Sequence, residues 1–208
     1  MNKKTLLLFI LIIMISAIGD SLAFAANVGV VPYESVSVVL SSLTQIEVGT
    51  ILLCLNLLMI ICQIITSKKI GLQNLLQIFM VFMLSSIVNF IVYYVFGQAQ
   101  FDYISRIILM IVGIMISASG VGMLVALDVI IYPLEGFLLA LSEKYNLNFE
   151  KIRQLTDFIC LIISLSLSLL LHVDLAIREG TIIATLLFAP VMGFVNKKME
   201  SKIKKFIK

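Results

Sequence analysis

Long apolar runs broken by short polar stretches organise this chain. They cover about residues 5–26, 48–66, 72–96, 105–127, 152–171 and 180–196. Most approach or exceed the ~20 residues a helix needs to cross ~30 Å of hydrocarbon, and the ten-residue alternation of an outer-membrane barrel is absent. The pattern predicts an all-α polytopic membrane bundle of six transmembrane helices. Two further stretches, Pro32 to Leu43 and Pro133 to Leu141, open on proline, which suits the first turn of a helix. They are too short to cross. Each lies at the interface or re-enters the protein interior.

The two halves of this pattern are related. Ile13-Met14-Ile15-Ser16-Ala17-Ile18-Gly19 returns as Ile114-Met115-Ile116-Ser117-Ala118-Ser119-Gly120, with six identities in seven positions at an offset of 101 residues. The same offset carries Pro32 onto Pro133 and Glu34 onto Glu135, in a chain with only three prolines. A unit of about residues 5–96 is therefore read as duplicated in residues 104–196, followed by a basic tail, 197–208. With three spans per unit, the second copy crosses the bilayer in the opposite sense, giving an inverted 3+3 repeat within one membrane domain. Duplication also bears on the N-terminus. Lys3 and Lys4, the apolar run from Leu6 and Ala23-Phe24-Ala25 have the form of a cleaved leader. The internal copy of this segment at 105–127 favours a retained first span instead.

Composition agrees with a bilayer environment: 61% of residues are hydrophobic and 13% charged, against about a quarter charged in soluble domains. The basic residues orient the chain. Lys3, Lys4, Lys68, Lys69, Lys144, Lys151, Arg153, Lys197, Lys198, Lys202, Lys204, Lys205 and Lys208, 13 of the 15, fall on one side of the predicted topology, with Arg106 and Arg178 on the other. The positive-inside tendency then puts both termini in the cytoplasm of a cell membrane. A net charge of +3 does not mark a nucleic-acid surface. Cys54, Cys62 and Cys160 sit in apolar runs without His or Cys at ligand spacing, so no metal or other cofactor is expected. No Ser-His-Asp order or HExxH pattern appears, and the chain does not read as an enzyme.

Ionisable groups at membrane depth cost several kcal/mol unless paired or hydrated, which makes them functional candidates. Asp20 lies about 22 Å into the first span at about 1.5 Å per residue, and its counterpart in the second unit is Val121. Arg106 is placed either to neutralise Asp20 or Glu34, or to share a solute site with them. A second group comprises Asp128, Glu135, Glu150, Arg153 and Asp157. Arg153 and Asp157, four apart, share a helix face. Glu135 opens the second short helix, where the dipole favours a carboxylate. This group reads either as a cap plus an interfacial ion pair or as a gate or substrate-ion site. Carboxylates outnumber the two arginines, which favours a cationic solute or proton coupling. Gln73, Asn74 and Gln77 share a face and either line a wet cavity or bind helices together. Gly19, Gly113, Gly120 and Gly136 permit close helix approach. His172, beside Asp174, is read as an interfacial residue.

The passage Gly19 to Val39 with Asn27-x-Gly29-x-x-Pro32, its copy Gly120 to Leu139, Phe149-Glu150-Lys151-Ile152-Arg153, and Gly180-Thr181 followed by Phe188-Ala189-Pro190 resemble the YczE/YyaS/YitT-type bacterial integral membrane proteins. That resemblance implies a polytopic plasma-membrane protein of largely unassigned activity. Inverted repeats are common in secondary transporters, with sites near the midplane on broken helices. The expected function is a small-solute permease or exporter working in the lipid bilayer. The alternative is a non-transporting regulator or accessory subunit, acting as a homo-oligomer or with a membrane partner protein.

Overall fold

In a computed structural model that describes residues 3–207, the apolar runs become helices. Met1, Asn2 and Lys208, the last residue of the basic tail, lie outside the described residues, as do the side chains of Lys204, Phe206 and Ile207. In chain order the helices are α1 (Lys3–Ala26), α2 (Pro32–Thr44), α3 (Val48–Ser67), α4 (Leu72–Asn89, continued by a π-helical segment Phe90–Val95), α5 (Tyr103–Leu127), α6 (Pro133–Tyr145), α7 (Phe149–Leu171) and α8 (Glu179–Ile207). There is no strand among the described residues. Six helices are long and apolar enough to cross a bilayer: α1, α3, α4 with its π segment, α5, α7 and α8.

Three details go beyond the apolar pattern. α6 continues past Leu141 to Tyr145 and closes on Asn146 in the left-handed conformation. α8 runs on through the basic tail to Ile207 as one helix, although Pro190 lies inside. The last turns of the third span are π-helical. Asn89, at the switch, supplies a reason. Its Oδ1 accepts from the Gly49 amide at 2.8 Å and its Nδ2 donates to Thr50 Oγ1 at 2.9 Å, fixing the end of α4 to the start of α3.

Hydrophobic attraction contributes little between helices in lipid, so close approach and polar bonds hold the bundle. α1 and α5 make the central contact. A Cβ on Gly19 would fall 2.2 Å from the Ser117 amide nitrogen, one on Gly120 would meet Ser16, and one on Gly113 would meet Ala23 and the Gly19 carbonyl. Residue numbers rise on one helix as they fall on the other, so the pair is antiparallel. The Gly19–Ser117 and Gly120–Ser16 contacts exchange under the 101-residue offset. Around this pair α4 packs on α1 and α8 on α5, while α2 packs on α7 and α3 on α6. The largest buried side chains, among them Phe9, Ile12, Ile13, Met80 and Met110, fill the layer shared by α1, α4 and α5.

One end of the bundle is defined by cross-links between helix ends. The Gly180 amide donates to the Val28 carbonyl at 2.9 Å, the Tyr103 hydroxyl to Glu179 at 2.6 Å, and the Val48 amide to the Tyr93 hydroxyl at 2.9 Å. The end of α7 joins them through a cleft that His172 shares with Gln45 and Glu47. The ends of α1, α4 and α7 thus lie with the starts of α3, α5 and α8, and the six long helices alternate in direction. Their other ends carry Lys3, Lys4, Lys68, Lys69, Lys151 and the α8 lysines. Gly29 makes the return after α1: its φ of 120° is open chiefly to glycine, and a Cβ there would strike Thr181.

Candidate functional site

The chain does not stay at the bundle end after α1. Val31 and Glu34 of the α2 start line one pocket with Asp20 and Ala23 of α1, Ile114 and Ser117 of α5, and Phe188 of α8. Phe188 lies about 13 Å along α8 from Glu179, and Asp20 about 9 Å from Ala26. The start of α2 is therefore inside the bundle: the Pro32 helix re-enters. Proline at its first position wastes no amide, and Glu34 meets the positive end of its helix.

This pocket brings together the two carboxylates nearest the α1–α5 contact. The Ser117 hydroxyl donates to Asp20 Oδ1, and Asp20 is 6% exposed. Ser117 is the repeat counterpart of Ser16. The pocket offers about 10 Å³, room for about one water molecule. Among the described residues its lining holds no basic side chain. Glu34, outside the spanning helices, is held well above the ordinary carboxylate range, by burial first and then by the neighbouring Asp20 carboxylate. Two carboxyls in so small a space disfavour joint ionisation unless a cation lies with them.

Arg106 does not complete this group. About 16 Å of helix separates it from Ser117, and its Nε donates to the Phe101 carbonyl at 3.1 Å. The expected neutralisation of Asp20 or Glu34 by Arg106 is thus overturned. Asp128 also stands apart, as an exposed residue that ends α5 at φ 52°, and Glu150 is exposed in the first turn of α7.

Glu135, Arg153 and Asp157 do come together. Arg153 Nε lies 3.3 Å from Glu135, and its Nη1 bonds Asp157 one turn along α7, so the guanidinium ties α6 to α7. All three side chains are about one-third exposed or less. Tyr33, next to Glu34, lies within electrostatic range of Glu135 and Cys160, and burial followed by these charges pushes its phenol above its usual range. Its hydroxyl reaches Asn56 at 3.4 Å. Tyr132, at the start of α6, lies in range of Asp20, Glu135 and Glu34. Tyr33 and Tyr132 thus each lie within electrostatic range of Glu34 and Glu135.

The amide stripe divides. Gln77 is fully buried; its Nε2 donates to Gln63 Oε1 and to the Ile131 carbonyl, both at 2.9 Å, while Asn74 Nδ2 donates to Gln77 Oε1 at 3.3 Å. These bonds join α3, α4 and the start of α6. They bind helices together, and Gln73 is only half-buried beside them. Gly136 gives room, since a Cβ there would strike Gln63. Gln63, Ser117, Tyr33 and Tyr132 escaped the sequence reading, because single polar residues in apolar runs carry no spacing signal. For Ser117 the repeat was a signal, as it copies a serine across the offset.

At the bundle end, Ser41, Ser42, Gln45, Glu47, His172 and Asp174 line an open polar cleft of about 500 Å³. Among the described residues no cluster of three or more His, Cys, Asp or Glu is arranged to hold a metal ion. No curated protein and no solved structure matches the chain. A family model does, over residues 3–197, nearly the whole length of the helical bundle just described. The chain belongs to DUF6198, a family of unknown function.

Proposed function

We propose that this protein is a small-solute permease or exporter, driven by a proton taken up at the Asp20–Glu34 pair, and not an enzyme. The observation that carries the reading is that pair: two carboxyls from a spanning and a re-entrant helix line one water-sized pocket without a basic partner. A group that alternates between shared-proton and ionised states changes the net charge between α1, α2, α5 and α8. Such a change is a driving force for rearrangement only if the two arrangements hold the proton with different affinity.

The mechanical part of the proposal is an inverted repeat whose halves rock about the Pro32 and Pro133 helices. Support comes from contacts that exchange under the 101-residue offset. Gly19–Ser117 pairs with Gly120–Ser16, and Ser35–Ser164 with Gly136–Gln63. The packing of α4 on α1, α2 on α7 and α2 on α3 likewise has its counterpart in α8 on α5, α6 on α3 and α6 on α7. We place the lysine-rich end in the cytoplasm of a bacterial cell membrane, following the charge asymmetry and the resemblance to YczE/YyaS/YitT-type proteins. Glu135, Arg153 and Asp157 then form the inner gate.

The test is flux into proteoliposomes for a broad panel of small solutes, with and without a proton gradient. Uptake or efflux of at least one solute that the gradient accelerates, lost in Asp20→Asn and Glu34→Gln, is expected. No flux for any solute, or flux indifferent to both substitutions, contradicts the proposal. One observation favours a second reading, a docking protein: α8 continues as a basic helix to Ile207. Deleting 197–208 spares a permease and cripples a subunit that binds through this extension.

A further inference from the structure

The second half of the chain offers an internal comparison for the Asp20–Glu34 pocket. Under the 101-residue offset α2 falls on α6 at both ends, Pro32 onto Pro133 and Thr44 onto Tyr145, and the first residue of α3, Val48, falls on the first of α7, Phe149. Glu34 then corresponds to Glu135, Leu52 to Arg153 and Asn56 to Asp157. In the second unit Glu135 shares its surroundings with a second carboxylate, Asp157, and the Arg153 guanidinium bonds both. In the first unit the buried Leu52 stands where the arginine would be, and Asn56 accepts from the Tyr33 hydroxyl at 3.4 Å. A second carboxylate is present all the same, because Asp20 reaches the pocket from α1. Each unit therefore sets two acids together, and only the second pair has a cation of its own.

The first-unit pair is arranged about a space. Asp20 acts on Glu34 through its charge and not through a hydrogen bond, and the pocket that both line leaves about 10 Å³, room for about one water. Asp20 is 6% exposed; Ser117 holds its Oδ1, and its Oδ2 has no hydrogen-bond donor among the described residues. Two carboxyls that share a proton by direct contact need no space between them. A water molecule fits the space but brings no charge, so one carboxyl then stays protonated. A positive occupant of the same size lets both ionise.

We infer that this pocket is a site for a small monovalent cation, an alkali ion or ammonium, held by Asp20, Glu34 and the Ser117 oxygen in exchange for a proton, a reading that rests on the proton site proposed above. Arg153 supplies the same single charge to the corresponding acids of the second unit. The exchange balances: the O–H bond of one carboxyl breaks, the proton leaves to water, the cation takes its place between two carboxylates, and the charge inside the bundle does not change. The water-sized space excludes organic amines. It also disfavours divalent ions, since calcium takes about six to eight oxygens and magnesium keeps several of its waters, while no third acid lines the pocket among the described residues.

The test titrates the full chain in detergent, in weak buffer at neutral pH with a pH dye, with lithium, sodium, potassium or ammonium chloride, against choline chloride at the same ionic strength. At least one small cation is expected to release about one proton per chain, to raise the melting temperature as it binds, and to lose about tenfold in apparent affinity for each pH unit lowered, as one-for-one exchange requires. Choline releases none. Asp20→Asn and Glu34→Gln abolish the release, whereas Glu150→Gln, which alters an exposed carboxyl on α7, leaves it unchanged. Melting of each variant in choline chloride separates loss of the site from loss of fold, and the pH dependence of the wild-type affinity needs no substitution. Release no greater than with choline, release that survives both substitutions, or release by magnesium or calcium chloride alone overturns the cation site. If a proton gradient drives solute flux in proteoliposomes but no cation releases a proton, the permease stands and the cation site falls. If a cation releases the proton while no solute moves, the cation site stands and the permease falls.

Discussion

At Glu34 burial and a neighbouring carboxylate act in the same direction, and together they set how stability depends on pH. The folded state holds the Glu34 proton at a higher pH than the unfolded chain, whose glutamates titrate near about 4.3. The resulting stability is fully present below the unfolded value and is lost as pH rises through the folded one. Asp20 of α1 lines the same pocket as Glu34, and Tyr132 and Tyr33 lie within electrostatic range. Thermal melting in detergent should therefore fall as pH rises above the carboxylate range, and Glu34→Gln should flatten that dependence and melt higher in alkali. An unchanged pH profile contradicts the assignment. Arg153 is the opposite case, a cation held by two carboxylates. Arg153→Ala leaves both half-buried and unpaired and is expected to cost about 1–3 kcal/mol, read as a lower melting temperature; Glu135→Gln costs less, since Asp157 still pairs the guanidinium. The sequence made Arg153–Asp157 legible because four-residue spacing fixes a face. It misplaced Arg106, because proximity between α1 and α5 depends on their register, which hydropathy does not encode.

For the elements, the repeated glycines set the spacing. Gly19→Ala puts a methyl against backbone atoms of α5, which cannot rotate away. We expect it to destabilise by about 1–3 kcal/mol, as overpacking does, whereas Gly193→Ala, with nothing within 4 Å of its Cβ, stays neutral. Comparable melting of the two variants in the same detergent contradicts the close α1–α5 contact. Helix existence was legible throughout: five of the six long apolar runs became helices within a few residues of their expected bounds, and the sixth starts as expected but runs on to Ile207. The π segment was not: it begins just after Asn89, whose bonds to Gly49 and Thr50 on another helix are tertiary contacts without local signature. Nor was the depth of α2: proline marks where the helix begins but not that its start faces Asp20.

Across the whole molecule, six alternating long helices put both ends of the chain on the face that carries most lysines. Single cysteines at Lys68 and Gln45, in a background lacking native cysteines, should label with a membrane-impermeant thiol reagent from opposite sides. In intact cells Gln45→Cys labels and Lys68→Cys does not; the reverse pattern inverts the proposed orientation. The proposed repeat belongs to the scale of the whole chain, where two prolines and a glycine-serine motif share one offset. The candidate site was readable only in part, since Asp20 has no repeat partner and gains meaning from Glu34 folding back onto it. In the proposed function Asp20 and Glu34 share a proton. Infrared spectra of the reconstituted protein through a pH titration test it most directly. A protonated carboxyl stretch that persists at neutral pH, and disappears in both Asp20→Asn and Glu34→Gln, is the predicted result. Full ionisation of both groups at neutral pH, with no such band to lose, would contradict it.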